Sequence, residues 1–261
     1  MTIRHYHGTP IWGNAGAVHR LAVAGAGAFV SYARPDQLAA SLRYAAAVAI
    51  DNGAFSAWKR GLLLDWHEFY RWLYLHYFHP KLTFFVIPDV VEGGEADNDR
   101  LIAEMPAIFR DKAAPVWHLH ESLDRLIHLC EEWPRVCFGS SGEYAVIHSA
   151  KWRRRMFEGF SAIYRQRNLT TKIHGLRMLD GRILGRWPLH SADSTTLAVG
   201  VPKYRVRSPE LSENVLAAGY QTEDIKLHRC AIFKNAIESV NPPSVDAWRL
   251  AANDDFYKAT A

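Results

Sequence analysis

Short apolar runs alternate with longer amphipathic stretches along most of the chain. The runs are rich in β-branched and aromatic residues, which predicts strands, and polar or glycine-rich clusters follow most of them. Between the runs, apolar residues recur with the spacing of one helical face, which predicts helices. The predicted strands span residues 27–32, 46–50, 83–87, 115–120, 136–138, 173–178, 188–192 and 196–199.

The predicted helices connect consecutive strands. They span residues 35–44, 65–78, 97–109, 122–132 and 150–166, with a further helix at 227–237. Strands that alternate with helices form parallel sheets. Because the chain of 261 residues contains about eight such steps, a closed barrel is favoured over an open sheet. We therefore predict the α/β class and a single (β/α)8 TIM-type barrel domain over 1–261, with a core at 27–200 and a short C-terminal extension at 201–261.

The composition is that of an ordinary globular enzyme, with 49% hydrophobic and 22% charged residues. Three cysteines, Cys130, Cys137 and Cys230, share no short metal-binding spacing, and such a sparse, odd set is typical of a reducing compartment. No apolar run reaches the roughly 18 residues that span a bilayer. The first residues also lack the apolar core of a signal peptide. We expect a cytoplasmic protein without membrane association.

The formal net charge of +4 is modest, but its excess is concentrated in three stretches, around residues 151–155, 165–167 and 203–207. Basic residues interleaved with aromatic ones can neutralise phosphates and stack on bases. A solvated helix face is the structural alternative. The candidate nucleic-acid-binding residues are Lys151, Arg153, Arg154, Arg155, Lys203, Arg205 and Arg207. No GxGxxG or Walker motif is present, so we expect no nucleotide cofactor, and no other cofactor or metal.

Carboxylates follow four of the predicted strands, at Asp51, Asp89, Glu143 and Asp193. One such acid can simply cap a helix or form a turn. Several of them converge in a barrel, because the reacting groups of this fold lie where strands end. Mutual repulsion and partial desolvation then raise the pKa of some of these acids, which suits one for proton transfer and another for nucleophilic attack.

This chemistry suits cleavage of the bond between a nucleobase and its sugar. One carboxylate must stabilise or trap the positive sugar carbon, and a donor must protonate the departing base. The base must leave the stack and lie between flat side chains. Candidates for these side chains are Phe55, Trp58, Trp117 and Tyr144.

Two motifs resemble those of the tRNA-guanine transglycosylase superfamily. DNGAFS at 51–56 is similar to its DSGGFQ-type motif, and FGSSGE at 138–143 is similar to its GGLAVGE loop. Asp89, after an apolar strand, and Asp193 fall where that family places its base-reading and nucleophilic aspartates. The resemblance implies a barrel in which Asp193 attacks the sugar carbon and Asp51 is the general acid/base. It also implies that Asp89 and residues 139–142 hold the edge of the base.

The sequence departs from this family in three ways. The zinc subdomain is missing, the guanine-reading glutamine is replaced around residues 118–120, and Ala54 replaces the second glycine of the first motif. This compact form is most similar to the DNA-acting branch, which puts 7-deazaguanine bases into DNA. We therefore expect DNA rather than tRNA as the partner, a free nucleobase as product or co-substrate, and base excision rather than exchange. The candidate catalytic residues are Asp193 and Asp51, and the candidate base-binding residues are Asp89, Phe55, His118, His120, Gly139, Ser140, Ser141, Gly142, Glu143 and Tyr144.

Three alternatives stay open. Base exchange would insert a 7-deazaguanine into DNA or tRNA and requires a second base where excision requires only water. A metal-dependent barrel hydrolase would bind zinc through histidines that are two apart on one strand. Its ligands would be His118, His120, Asp193 and either His174 or His190. A non-catalytic nucleic-acid-binding module would use the basic stretches and leave the strand-end acids without a role.

Overall fold

The computed structural model of this chain describes residues 4–11, 15–203 and 209–251. Its strands form one parallel sheet in the order β5-β4-β3-β2-β1-β9-β8-β7-β6. The strands are β1 His5–Gly8, β2 Gly27–Ser31, β3 Ala47–Asp51, β4 Leu82–Val86, β5 Ala113–Ala114, β6 Val116–His118, β7 Arg135–Gly139, β8 Lys172–Gly175 and β9 Ser191–Ser194.

The sheet closes through a strand that is interrupted by Pro115. On one side of this proline β5 pairs with β4, and on the other side β6 pairs with β7. Proline has no amide hydrogen to donate to the ladder, which explains the interruption. Its carbonyl still accepts a hydrogen bond from Cys137 N at 2.8 Å. Since β5 and β6 are two parts of one strand, the order of the sheet returns to its start, and the predicted TIM-type barrel is confirmed.

Helices lie between the strands along the chain. They are α1 Ala15–Val23, α2 Leu38–Tyr44, α3 Ala54–Arg60, α4 Trp66–Tyr77, α5 Glu95–Ala103, α6 Leu123–Glu132, α7 Ala150–Phe160, α8 Gly181–Leu184, α9 Thr196–Gly200, α10 Pro209–Ala217, α11 Thr222–Glu238 and α12 Val245–Ala251. Short 3-10 turns occur at Pro35–Gln37, Ala107–Lys112 and Gly142–Tyr144, and a π-helical segment, Ser161–Gln166, continues α7. None of the helices in the described part of the chain is long and apolar enough to cross a membrane.

Local sequence explains the start and the buried face of α4. The carboxylate of Asp65 accepts hydrogen bonds from the amides of His67 at 2.8 Å and Glu68 at 3.2 Å, so it caps the helix. Phe69 and Leu73 are four residues apart and fully buried, as expected for one helical face against a core. The predicted helix at 65–78 is therefore confirmed.

Aromatic side chains fill the barrel below its carboxyl end. The ring of Phe84 lies 5.6 Å from that of Tyr6 and 5.0 Å from that of His174, in edge-to-face contacts. A Cβ atom at Gly27 would lie 2.4 Å from the Tyr6 ring, so this position requires glycine. The filled interior leaves the open end of the barrel as the place for a site.

The structure corrects the prediction at both ends of the barrel. The barrel begins at β1, before the predicted residue 27, because the short HYHG run carries too few apolar residues to predict a strand. Its histidines instead contact the C-terminal extension: His7 Nε2 lies 2.8 Å from Glu238 Oε1, and His5 Nε2 lies 3.0 Å from Val240 O. The strand predicted at 196–199 is wrong, since α9 occupies this segment after the Ser194 hydroxyl accepts the Thr196 amide at 3.0 Å.

Candidate functional site

A pocket of about 360 Å³ lies at the carboxyl ends of the strands. This volume is near the lower end of the range of small-molecule sites, about 300–1,000 Å³. Eight of the predicted site residues line it, namely Asp51, Phe55, Asp89, His118, Gly139, Ser140, Ser141 and Asp193. A larger, open groove of about 1230 Å³ runs along α4, but none of the strand-end acids lines it.

Three aspartates from distant parts of the sequence meet in this pocket. Asp51 ends β3, Asp193 lies in β9, and Asp89 follows β4. The pKa of Asp51 is raised to about 7, mainly by desolvation and also by the negative charges of Asp193 and Asp89, against the lowering effect of hydrogen bonds from the Ser31 hydroxyl and the Gly53 amide. A carboxyl group with this pKa can both give and take a proton near neutral pH.

Asp193 is buried. One of its carboxylate oxygens contacts a backbone amide of the loop after β8 and a histidine side chain of β8. Oδ1 accepts a hydrogen bond from the backbone N of Arg177 at 3.0 Å. It also lies 3.3 Å from His174 Nε2, although this contact is not a well-aligned hydrogen bond. Burial lowers the pKa of His174, so its ring is neutral near pH 7. Asp193 is thus fixed at the pocket without a full positive charge on its histidine neighbour.

The other side of the His174 ring is held by two polar neighbours. Arg135 Nη1 donates to Ser191 Oγ at 3.3 Å, and Ser191 Oγ lies 2.8 Å from His174 Nδ1. A serine oxygen that accepts from a guanidinium still has a hydrogen and a lone pair, so it can bond Nδ1 in either tautomer of the ring. Ser191 thus fixes the orientation of His174 beside Asp193.

Arg177 is a pocket residue that the sequence analysis missed. It adopts a left-handed conformation with φ of 61°, which is uncommon outside glycine and occurs at strained functional positions. Its guanidinium lies 4.6 Å from the Phe55 ring centroid and donates from Nη2 to Ser140 O at 2.5 Å. The predicted strand at 173–178 ran through this position, whereas β8 ends at Gly175, so Arg177 lies in a loop at the pocket.

Asn52 was noted only as part of a motif, but it organises one wall of the site. Its side chain is buried, and Nδ2 donates to Asp89 Oδ1 and to Ile87 O, both at 2.7 Å. Its Oδ1 accepts from the Ala54 amide at 2.8 Å. All of its amide hydrogens are therefore used, and the orientation of Asp89 is fixed.

A hydrogen-bonded chain, which we call the histidine chain, leads from Asp89 away from the pocket. His118 Nε2 lies 2.8 Å from Asp89 Oδ2, and His118 Nδ1 lies 3.2 Å from Ser141 Oγ. Ser141 Oγ lies 3.0 Å from His120 Nδ1, and His120 Nε2 lies 3.2 Å from Gly93 O. His120 does not line the pocket and reaches it through Ser141.

The polarity of the histidine chain is set at one end. The carbonyl of Gly93 only accepts, so His120 Nε2 donates to it. Ser141 Oγ lies between the Nδ1 atoms of His118 and His120, and a hydroxyl can donate to one of them while it accepts from the other. Three consecutive hydrogen bonds therefore connect Asp89 with His120.

The histidines predicted as zinc ligands have other roles. The rings of His118 and His120 are stacked, with centroids 5.6 Å apart, and their nitrogens are engaged in the histidine chain. His190 precedes β9, at the opposite end of that strand from Ser194. Within residues 4–11, 15–203 and 209–251, no three histidine, cysteine or acidic side chains form a metal-binding group. The geometry gives no support to the zinc arrangement.

Besides His120, three predicted base-binding residues lie outside the pocket. Gly142, Glu143 and Tyr144 form a 3-10 turn, in which Gly142 has a φ of 53° and redirects the chain. Glu143 is exposed and forms an ion pair with Lys151. The Tyr144 ring faces Lys151 Nζ at 5.4 Å. These three residues do not line the pocket that the other predicted site residues form.

The aromatic candidates also separate. Phe55, at the rim, lines the pocket, and Trp58 packs beside it with ring centroids 5.7 Å apart, but Trp58 does not line the cavity. Trp117 is fully buried on the helix side of the sheet, where its ring meets Phe138 at 4.8 Å. An alternating strand places successive side chains on opposite faces, which explains why His118, and not Trp117, reaches the pocket.

Most of the predicted basic residues on α7 have partners within the protein. Arg155 donates to Leu119 O at 2.8 Å and Glu121 O at 2.5 Å, so it holds the loop after β6. Arg153 donates to His148 O at 2.5 Å, and Arg154 is exposed beside Glu158. Lys203 is exposed at the edge of the described residues, and Arg205 and Arg207 lie outside them.

Comparison with known proteins adds no relative to this picture. No protein-family model matches the sequence, and no curated protein is significantly similar to it. The geometry and chemistry of the pocket are therefore what indicates a function for this protein.

Proposed function

We propose that this protein cleaves the N-glycosidic bond of a nucleobase that has been flipped out of DNA, with Asp193 as the nucleophile. One observation carries the proposal: Asp51, Asp89 and Asp193 share a single pocket, and Asp51 has a pKa of about 7. An ionised acid and a protonatable acid in one cavity are the pair that glycosidic bond cleavage requires.

The proposed reaction has two steps. The carboxylate of Asp193 forms a bond to the sugar carbon as the bond to the base nitrogen breaks, and the electron pair of that bond stays with the base. A proton from Asp51 or from the Asp89 end of the histidine chain neutralises the departing base. Water, deprotonated by Asp51, then displaces Asp193 from the sugar carbon and leaves an abasic site and a free base.

The charge distribution of the pocket supports a nucleotide substrate. The aspartates lie inside it, whereas the cationic side chains of Lys59, Arg60 and Arg177 line it and are exposed. Phosphates at the rim would meet positive charge while the sugar carbon that becomes positive meets negative charge inside. Phe55 offers a flat face to the base, and the resemblance to the transglycosylase motifs points in the same direction.

The pocket would accept base exchange as well as excision, because both begin with the same covalent step. We favour excision, since it needs water alone and the guanine-reading glutamine of the related motif is replaced. The partner we propose is DNA, and the released base is the second product. Exchange of a base in DNA or tRNA is the competing outcome of the experiment below.

The experiment incubates the purified protein with natural and hypermodified DNAs, and with tRNA, and measures free base by mass spectrometry and abasic sites by alkaline cleavage. Free base together with abasic sites supports excision. Incorporation of an added base into an intact strand supports exchange. Release that a chelator abolishes and zinc restores would support the metal-dependent alternative. No release from any of these substrates would contradict the proposal.

A further inference from the structure

A second cavity, of about 230 Å³, lies between the connections that follow β7 and β8. We call it the arginine cavity, because basic side chains surround a floor of aromatic side chains. The side chains that matter are His148, Trp152, Arg153, Arg182, Arg186 and Trp187. The rings of the two tryptophans, both buried, meet edge to face at 6.2 Å, which gives the cavity a rigid floor.

The groups around this cavity carry an excess of positive charge. Asp180 is the acid in contact with them: its carboxylate binds Arg182 through Nε at 3.1 Å and Nη2 at 2.8 Å. His148 Nε2 lies 3.7 Å from the same carboxylate. Three guanidinium groups against one carboxylate leave two positive charges, which a phosphate anion would balance.

Several side-chain donors in the arginine cavity have no acceptor among the described residues. Arg186 is exposed; its backbone amide donates to Ile183 O at 3.0 Å, but its guanidinium forms no hydrogen bond or ion pair with the described residues. Arg153 Nε is buried without a partner, and its Nη1 is held in place by His148 O. The cavity also lies at the start of α7, where the Ser149 hydroxyl accepts the Trp152 amide at 3.1 Å. Guanidinium groups that are partly fixed by the protein are suited to phosphate oxygens.

The arginine cavity is joined to the candidate active site by one hydrogen bond. Trp152 Nε1, from its floor, donates to Ser140 Oγ at 2.9 Å, and Ser140 lines the pocket that contains the aspartates. Arg177 Nη2 holds the carbonyl of the same serine. A chain that enters the pocket from this side would pass the arginines first.

We propose that the arginine cavity binds a backbone phosphodiester of the nucleic-acid strand beside the flipped-out nucleotide. The identity of this ligand rests on the proposed function, since a DNA substrate supplies the phosphate. The bound phosphate fixes the register of the strand relative to Asp193 and contributes no sequence preference.

The test compares the wild type with the variant Arg182→Gln/Arg186→Gln in binding a fluorescein-labelled, mixed-sequence, single-stranded oligodeoxynucleotide of about 15 nucleotides, at several salt concentrations. Loss of one phosphate contact should weaken binding about tenfold and lower the slope of log affinity against log salt by about 1. The control is Arg71→Gln/Arg100→Gln, which removes two exposed, ion-paired arginines from α4 and α5. It should bind as the wild type does, and thermal unfolding checks that both variants fold.

Inorganic phosphate provides the second arm. If inorganic phosphate competes with the oligonucleotide on the wild type but not on the arginine-cavity variant, the cavity binds a phosphate group of the DNA backbone, as proposed. If phosphate stabilises the wild type while DNA binding is unchanged in the variant, the site serves free phosphate and the proposal is overturned. Equal salt slopes in the wild type and the variant, or no DNA binding at all, also overturn it.

The two proposals fail in different ways. If Arg182→Gln/Arg186→Gln weakens binding of DNA but the wild type releases no base from any DNA, the phosphate site stands and the proposed cleavage is wrong. If base release is observed and the variant retains the full affinity and rate, the cleavage stands and the phosphate site is wrong.

Discussion

Asn52 donates a hydrogen bond from Nδ2 to Asp89 Oδ1 at 2.7 Å and thereby joins the end of β3 to the loop after β4. The other side of the Asp89 carboxylate faces His118 Nε2 at 2.8 Å. Because both oxygens are engaged, the position of Asp89 in the pocket depends on these two neighbours. Asn52, the second residue of the DNGAFS motif, therefore holds the carboxylate of Asp89 in a fixed orientation.

Asn52→Ala should lower the free energy of unfolding by about 2–4 kcal/mol, since it leaves Ile87 O and the Ala54 amide without their buried partner. Asn52→Asp retains an acceptor for Ala54 but places a second carboxylate beside Asp89, so its destabilisation should grow from pH 5 to pH 8. Urea unfolding at both values measures the effect. Asn235→Ala, at an exposed position, serves as the control. If Asn52→Ala were as stable as this control, Asn52 would not support the pocket as described.

Asp193→Asn should lower the rate of base release by about a thousandfold or more, because an amide cannot form the bond to the sugar carbon. DNA affinity should change little, since the amide oxygen still accepts from the Arg177 backbone. The measurement pairs single-turnover release with binding of the same DNA. Asp111→Asn, at an exposed position, should retain full activity; wild-type rates in Asp193→Asn would remove Asp193 as the nucleophile.

Asp51 should make the protein less stable as the pH rises. Its pKa is about 7 in the folded protein and about 4 when unfolded. Between these values the folded state binds the extra proton, so stability falls with rising pH, and the loss is complete above about 7. Asp51→Asn removes this loss and should exceed the wild type by roughly 1–4 kcal/mol at pH 8, with a smaller difference at pH 5. Urea unfolding at both values tests this, and a constant difference would contradict it.

The titration of Asp51 should also appear in the pH dependence of base release. If protonated Asp51 donates to the departing base, the single-turnover rate of base release should decline as the pH rises through about 7. The pH profile of Asp51→Asn should lack this decline and lie well below that of the wild type. A wild-type rate that keeps rising up to pH 9 would assign the donor to another group.

Ser141→Ala should interrupt the histidine chain, because the hydroxyl is the link between His118 and His120. We expect base release to slow by about tenfold to a hundredfold, with an altered pH profile and unchanged DNA affinity. Ser239→Ala, on the exposed end of α11, controls for loss of a hydroxyl. A slower rate with the wild-type pH profile would show that Ser141 only supports the loop.

The sequence by itself determined the barrel and three of its strand-end acids. The apolar runs that end in Asp51, Asp89 and Asp193 are local signals, since the hydrophobic pattern of a strand and the polar residue that follows it lie within a few positions of each other. The fold then brings these ends together, because parallel strands of a closed barrel share one carboxyl end. The pattern failed at His5–Gly8, where strand formation depends on neighbours and on α11 rather than on local hydrophobicity.

Only the tertiary structure decided which neighbouring residues reach the pocket. Glu143 and Ser141 are two residues apart in one loop, yet Ser141 is buried at the site and Glu143 is exposed, because the backbone turns at Gly142. Arg177 enters the pocket through a loop conformation that no periodicity encodes. The histidine chain and the pKa of Asp51 likewise depend on atoms from separate strands, since hydrogen bonds and desolvation act through space and not along the sequence.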